Sequence, residues 1–503
     1  MVCAMRSKKL ARNTISSLVF QLTTIICGFI LPRLILLEFG SSVNGLVNSV
    51  SQFLHMIAFL ELGVGSVVQS SLYKPLAEKD NVQISKTIVS AEKFFKRLAQ
   101  ILLVYIIALM IIYPCIAEQR FDYIFTATLI AAMSVSSFAQ YYIGVVDRLL
   151  LNADQRGYIQ YDTQTITLIM NTAAGACLIY LGASIHIVKL TTSLFYAARP
   201  LVLRWYVNRH YDLDRKIRYE GEPIKQKWNG VAQHIATVVL ESTASVVLTT
   251  LATLADVSVY SVYHLIVAGV KQIFLSMMNG IHALFGELWA KQELEELRKA
   301  LSWTEWVVHT GTVFVFGCSG VLILPFVQVY TQGIHDANYL QPLFGFLMVL
   351  SHSIHCLRLP YSIMILAGGH YKQTQHHHII AAMLNLIVAI IAVKLWGLVG
   401  VALGTLVALT YQIVWMAIYN SKNLLRWPIT SFMKQIMVDA ITAMIAALVC
   451  SIVKLESTGY AAWVLMAVHV TGIWFAVIVC VNSICYRDKL ITLMRSAMRK
   501  SSG

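Results

Sequence analysis

Charge is what this chain lacks. Of its 503 residues only 13% are charged, against 57% hydrophobic, whereas an average soluble domain carries about a quarter charged residues. So few ionic groups cannot clothe a soluble surface of this size, which excludes a soluble enzyme and also a single-anchor receptor with a large external domain. Acidic residues are the scarcer sign, 25 Asp and Glu against 39 Lys and Arg, for a net charge of +14. Cysteine is sparse and scattered, with nine residues and no C-x-x-C pair, so neither a disulfide framework nor a zinc site is indicated. Most of the nine fall in apolar runs, where cysteine behaves as a small hydrophobe. No Walker, H-E-x-x-H or G-x-S-x-G motif occurs, so no catalytic site or cofactor is expected.

What the chain has is apolar length. Fourteen membrane helices at about 20 residues each need about 280 residues, close to the hydrophobic complement here. The expected helices span 14–37, 43–70, 98–117, 121–146, 159–181, 184–205, 229–253, 257–285, 303–327, 338–366, 378–394, 397–418, 435–454 and 460–483. The fold class is therefore an all-α polytopic membrane protein. Arg6, Lys8, Lys9 and Arg12 precede a first run too long for a signal peptide, so an uncleaved first helix is expected. With both termini cytoplasmic, inner segments hold 31 of the 39 basic residues and outer loops hold Arg120, Lys394 and Lys454. That asymmetry is a topology signal rather than the continuous basic face of a nucleic-acid binder.

Two segments, Tyr73 to Arg97 and Glu287 to Ala300, mix charges with leucine, isoleucine and phenylalanine and fit interfacial helices on the inner leaflet, or solvated linkers. Each follows the second helix of a six-helix set. An offset of 214 places Ala153 on Ala367 and Asn171 on Asn385, suggesting a repeat. Six helices per half make the repeat parallel, the arrangement expected of an alternating-access transporter. The expected division is a first six-helix lobe at 1–205, a basic linker at 206–228, a second lobe at 229–420, and two extra helices with a basic tail at 421–503.

Polar residues recur at helical spacing on several segments: Asn44, Asn48, Gln52 and His55; Gln160, Gln164, Thr167 and Asn171; Glu241, Ser245 and Thr249; Tyr260, His264 and Lys271. Interhelical hydrogen bonding explains small polar groups but not ionisable residues near mid-span. A charge at the bilayer centre costs roughly 2.5–3.5 kcal/mol even on the lenient insertion scale. Lys271 lies 14 residues into its segment, about 21 Å, too deep to snorkel. Glu241 is similarly deep and is a candidate for proton or sodium exchange, with a structural Glu241–Lys271 pair as the competing reading. Arg33 follows Pro32, which should kink the first helix. Arg199 is expected to snorkel inward. His352, His355 and Arg358 follow at three-residue spacing, and for His376, His377 and His378 a position facing headgroup phosphates is plainer than a metal site.

Arg33-Leu34-Ile35-Leu36-Leu37-Glu38-Phe39-Gly40 with Asn44-Gly45-Leu46, and then Glu61-Leu62-Gly63-Val64-Gly65, resembles the N-terminal pattern of bacterial polysaccharide exporters. These belong to the multidrug/oligosaccharidyl-lipid/polysaccharide export superfamily. The resemblance implies a flippase that moves an undecaprenyl-diphosphate-linked oligosaccharide across the cytoplasmic membrane. Related lipid II flippases use basic residues in helices 1 and 8, matched here by Arg33 and Lys271, with His55 nearest to a third. The substrate-binding set then comprises Arg33, Lys271, Asn48, Gln52, His55, Gln164, Asn171, His264 and Arg358, with Glu241 as the ion-coupling residue.

The physical requirement stands beside the name. A diphosphate crossing about 30 Å of hydrocarbon needs positive charge, sugars need hydrogen-bonding side chains, and a prenyl tail can remain in membrane lipid. Two other readings compete. A cation-coupled drug exporter would favour an acidic cavity, and a membrane glycan polymerase or ligase would carry a sizeable outer loop. The longest outer loop, Tyr330 to Asn338, offers His335 and Asp336.

Overall fold

The computed structural model describes residues 2–56, 59–117, 121–218, 231–425, 428–453 and 459–501, and every regular element among them is helical. Each of the fourteen expected segments falls on helix. Ten helices are long and apolar enough to cross a membrane among the described residues, counting Arg12–Met56 once. The chain is a multi-pass membrane protein. Packing divides it into two compact units, Met1–Ser258 and Val259–Gly503.

The first unit opens with α1 (Val2–Met56). Pro32 does not end it; the break comes at Gly40, whose φ of 81° suits glycine alone. Then follow α2 (Phe59–Glu78), α3 (Asn81–Ile116), α4 (Tyr123–Ala139), α5 (Val145–Ala153), α6 (Tyr158–Tyr180), α7 (Ile185–His210) and α8 (Val231–Leu251). A π-type turn, Gln140–Gly144, joins α4 to α5. α1 packs on α6, α6 on α7, α7 on α4, and α4 on α3. α8 lies against α1 and α2, which is why it belongs to this unit by packing. The sequence repeat would instead assign it to the second lobe.

α9 (Leu254–Ala290) crosses the unit boundary. The second unit continues with α10 (Leu294–Tyr330), α11 (Pro342–Leu357), α12 (Leu359–Ala367), α13 (Tyr371–Trp396), α14 (Leu398–Tyr419), α15 (Thr430–Cys450), α16 (Tyr460–Cys485) and α17 (Arg487–Ser501). Helix bounds recur along the chain: Asn81 and Leu294, Ala153 and Ala367, and Ile185 and Leu398 stand 213, 214 and 213 residues apart. Even the interruptions correspond, with Gly144 at the first and Arg358 at the second. α15 and α16 dock on α10. Trp474 of α16 lies where a Cβ on Gly317 would be, 2.2 Å from its ring, and Trp306 Nε1 donates to Asn482 Oδ1 at 2.7 Å.

The expected interfacial helices take another form. Lys79 turns the chain at φ 57°, Asp80 caps α3 by accepting from the Gln83 amide, and Ile84, Ile88, Ala91 and Phe95 are buried along one side of a 36-residue helix. Burying that stripe in protein stabilises it more than laying it on a surface would. Similarly, α9 runs to Ala290 and α10 starts at Leu294, so Glu287 to Ala300 is two helix ends and a turn.

Where α3, α5 and α7 meet, four charges are sequestered together. Asp147 is fully buried, with Oδ2 2.5 Å from Arg204 Nε and Oδ1 2.7 Å from Arg215 Nη2. Glu92 bonds both guanidiniums, Arg204 at 3.0 Å and Arg215 more closely. Arg215 comes from the chain after α7, so this network clasps the start of the basic segment to the helices. Nearby, Tyr211 donates to Asp154 at 2.6 Å, and burial together with that carboxylate pushes its phenol pKa up.

One contact sets how near α1 and α9 approach. A Cβ on Gly45 would stand 1.7 Å from the Leu254 carbonyl oxygen, so nothing larger than glycine fits. Gly45→Ala is expected to destabilise by about 1–3 kcal/mol as an overpacking change, read as lower thermal stability in detergent. Wild-type stability would contradict this close approach.

Candidate functional site

The second unit gathers basic side chains deep within its helices. On α9, Tyr260 stacks on His264 with centroids 5.5 Å apart, and His264 meets His352 of α11 edge-on at 5.6 Å. One turn after His352, His355 accepts from Arg358 Nη2 at its Nδ1, 3.3 Å away. Arg358 occupies the single turn residue between α11 and α12, followed by Pro360, which cannot donate to the preceding turn. His352, His355, Arg358 and His378 are 8–9% exposed. The Lys271 charge acts on His264, His352 and His355, and the Arg358 charge acts on His355 and His378. Three helices and the turn residue between α11 and α12 thus bring Lys271, Arg358 and four imidazoles into one electrostatic group.

Such a group can bind an anion. Lysine offers a mobile point charge and arginine a planar fork matched to phosphate oxygens, while neutral imidazoles can donate or accept with sugar hydroxyls. Of the sequence candidates, Lys271, His264 and Arg358 come together here, and His352 and His355 join them. The histidine triplet divides: His378 is buried near Arg358, whereas His377 stacks on Trp415 at 3.9 Å and contacts the Tyr411 hydroxyl. Adjacent helical positions point apart, which separates them.

The first unit holds the remaining candidates at several places. Asn44 donates to Ser258 Oγ at 2.8 Å, Asn48 donates to Asn44, Ser49 bonds Thr249 at 2.6 Å, and Tyr113 donates to Ser49. This part of the polar stripe ties helices together, as small polar groups in membranes commonly do. Gln52 and Arg33 are half-buried, and His55 and Glu241 are exposed.

Gln164 and Asn171 lie around Arg199 and Tyr196 of α7. The Arg199 guanidinium lies 3.9 Å over the Tyr196 ring, and its Nε donates to Thr167 Oγ1 at 2.7 Å. Its Nη2 reaches the Gln164 carbonyl at 3.4 Å, and Asn171 donates to the Tyr196 hydroxyl at 3.3 Å. Arg199, expected to snorkel inward, is held by a ring face and a hydroxyl. Glu61 and His234 have side chains outside the described residues.

Comparison with known proteins follows the fold. No family model matches the chain, and no curated protein does. Among solved structures, the lipid II flippase MurJ in an inward closed conformation matches with a TM-score of 0.71 at 15% identity, covering 95% of this chain and 99% of that one. A eukaryotic MATE transporter matches with a TM-score of 0.56 at 13% identity, covering 86% and 99%. A MOP superfamily transporter from Pyrococcus furiosus gives 0.55 at 14%, covering 82% and 96%. At these identities the likeness shows the fold, and the fold of this chain is the one found in those membrane transporters.

Proposed function

We propose that the protein is a flippase carrying undecaprenyl-diphosphate-linked oligosaccharide repeat units across the bacterial cytoplasmic membrane, for cell-surface polysaccharide biosynthesis. The observation that carries this reading is the Lys271–Arg358–histidine group. Charges held within apolar helices are costly, and an anionic head group would offset that cost while bound. The likeness to the lipid II flippase also supports it, because it spans about 65 residues more of this chain than a MATE structure covering 82%. That difference is about the size of α15–α17.

In this reading the lobes 1–205 and 229–420 alternate access around the basic group, with 206–228 as linker. Arg358 and Lys271 take the diphosphate, while His264, Asn48, Gln52, Gln164 and Asn171 meet sugar hydroxyls. Arg33 adds positive charge on α1 with His55 beside it on the same helix, and Glu241 exchanges a proton or sodium ion. The helices of 421–503 border the prenyl tail, which stays among the lipids. Glu241→Gln is then expected to retain substrate binding but lose dependence on the ion gradient. Normal gradient-dependent export would make Glu241 structural.

The orientation has its own test. With the native cysteines replaced, a cysteine at Asp336 should react with an impermeant thiol reagent on intact cells, and one at Lys216 should not. Labelling at Lys216 would reverse the termini. The functional test is analysis of lipid-linked oligosaccharides in a deletion strain. Completed units accumulating on the cytoplasmic side would support flipping, and unpolymerised units outside would contradict it.

A second reading, a cation-coupled multidrug exporter, is favoured by the exposed acidic Glu241 on α8 and by the fold likeness to MATE transporters. Export of a lipophilic cation that requires Glu241 and is indifferent to Lys271 and Arg358 would select it.

A further inference from the structure

The second unit contains a buried polar pair that substrate recognition does not use. His309 on α10 has no exposed surface, and its Nδ1 lies 2.6 Å from Asp439 Oδ2 on α15. Asp439 is 8% exposed, and its other oxygen accepts from Gln435 Nε2 at 3.1 Å. When Nδ1 donates to the carboxylate, a neutral imidazole presents Nε2 as an acceptor. That Nε2 is buried without a hydrogen-bond partner, as is Thr312 Oγ1 one turn further on the same face. A buried polar atom left unsatisfied costs roughly 1–3 kcal/mol. A pair serving packing alone gains nothing from an orphaned nitrogen.

A small cavity adjoins Asp439, and a larger cleft lies one turn of α10 from His309. A small polar cavity beside Asp439, lined also by Gln435, Thr442 and Asn482, has about 10 Å³ of room for a water's centre, which is about one molecule. Toward the Leu294 end of α10, a cleft of about 420 Å³, part of it open to solvent, is lined by Arg298, Glu305 and Tyr361. The Tyr361 hydroxyl donates to Glu305, and the Tyr361 ring stands edge-on to His309 with centroids 6.3 Å apart. Glu305 and His309 are one turn apart on α10, about 6 Å along the axis. Around them, Tyr486 beyond α16 acts electrostatically on Asp439 and Glu305, Lys434 of α15 lies over the Tyr486 ring, and Lys489 of α17 donates to Ser302.

We propose that His309 and Asp439 form a proton-binding site served from the Glu305–Tyr361 cleft. A hydronium ion in the cleft gives up its proton and becomes water. The proton is passed by way of Glu305 and Tyr361 to the His309 Nε2 lone pair, and Asp439 holds the resulting imidazolium. No bond between heavy atoms changes. Protonation converts a hydrogen bond from a neutral imidazole to a carboxylate into an ion pair between α10 and α15, so the charge state of His309 sets how firmly α15 is held. The site lies partly on a helix outside the six-helix repeat, giving that helix a role beyond packing. This protonation does not rest on the flippase reading.

The test is nitrogen NMR of the full-length protein with ¹⁵N-labelled histidine in lipid nanodiscs. The His309 signal is assigned by its loss in the double variant His309→Gln with Asp439→Asn, which leaves no uncompensated buried charge. If that variant does not fold, Tyr361→Phe assigns the signal by perturbing it while keeping the pair. The expected result is that acidification moves the Nε2 resonance from its neutral to its cationic position and that Asp439→Asn alters that change. A resonance unmoved by acid, or a change that Asp439→Asn leaves as it was, would overturn the proposal. Because no substrate is present, failure of the flippase reading would not alter either result.

Discussion

Lys271→Ala and Arg358→Ala are each expected to lower translocation of a diphosphate-linked oligosaccharide roughly ten- to hundredfold. A hydrogen bond to a charged group is worth roughly 1.5–3 kcal/mol, and about 1.4 kcal/mol corresponds to tenfold. Each side chain is taken as one contact to the diphosphate. Arg358→Lys keeps the charge and loses the fork, so it should fall between wild type and alanine. Arg33→Ala should also impair export, with Arg33→Lys less severe. Export per folded molecule is the quantity to compare, since abundance changes separately. Full export by Lys271→Ala or Arg358→Ala at normal abundance would remove that residue from recognition.

The second large effect is on folding. Asp147→Ala leaves Arg204 and Arg215 facing a void where both had a carboxylate oxygen within 2.7 Å. Removing one member of a buried ion pair typically costs about 3–5 kcal/mol, and because Glu92 still bonds both guanidiniums the loss should fall at the lower end of that range. Asp147 is fully buried, so water cannot replace it. The variant should accumulate poorly and unfold at lower temperature, with Asp147→Asn intermediate because its amide oxygen still accepts. Wild-type thermal stability of Asp147→Ala would mean that the clasp contributes little.

These two sites were not equally legible in the sequence. The placement of the expected segments on helix was readable because long apolar runs leave few alternatives, whereas the break within α1 at Gly40 was not. The clasp was not: Arg204 and Arg215 read as topology charges, and their partners Glu92 and Asp147 lie 57 to 123 residues away. Residues 73–97 carry an amphipathic stripe that fits a membrane surface or a packed helix equally, and only the burial of Ile84, Ile88 and Phe95 distinguishes them. The cationic group was partly visible, since Lys271 was too deep to snorkel and His352, His355 and Arg358 share a face. Its assembly with His378 required tertiary packing. His309 and Asp439, 130 residues apart, were missed as a pair, although one acidic residue within the apolar run of α15 was a signal.

If the basic group carries an anionic lipid-linked glycan, purified protein in vesicles with an undecaprenyl-diphosphate-linked oligosaccharide should expose glycan at the far leaflet. Transfer should exceed that of protein-free vesicles and be lost on Lys271→Ala together with Arg358→Ala. Transfer no faster than in protein-free vesicles, or transfer unaffected by that double change in folded protein, would contradict that role of the group.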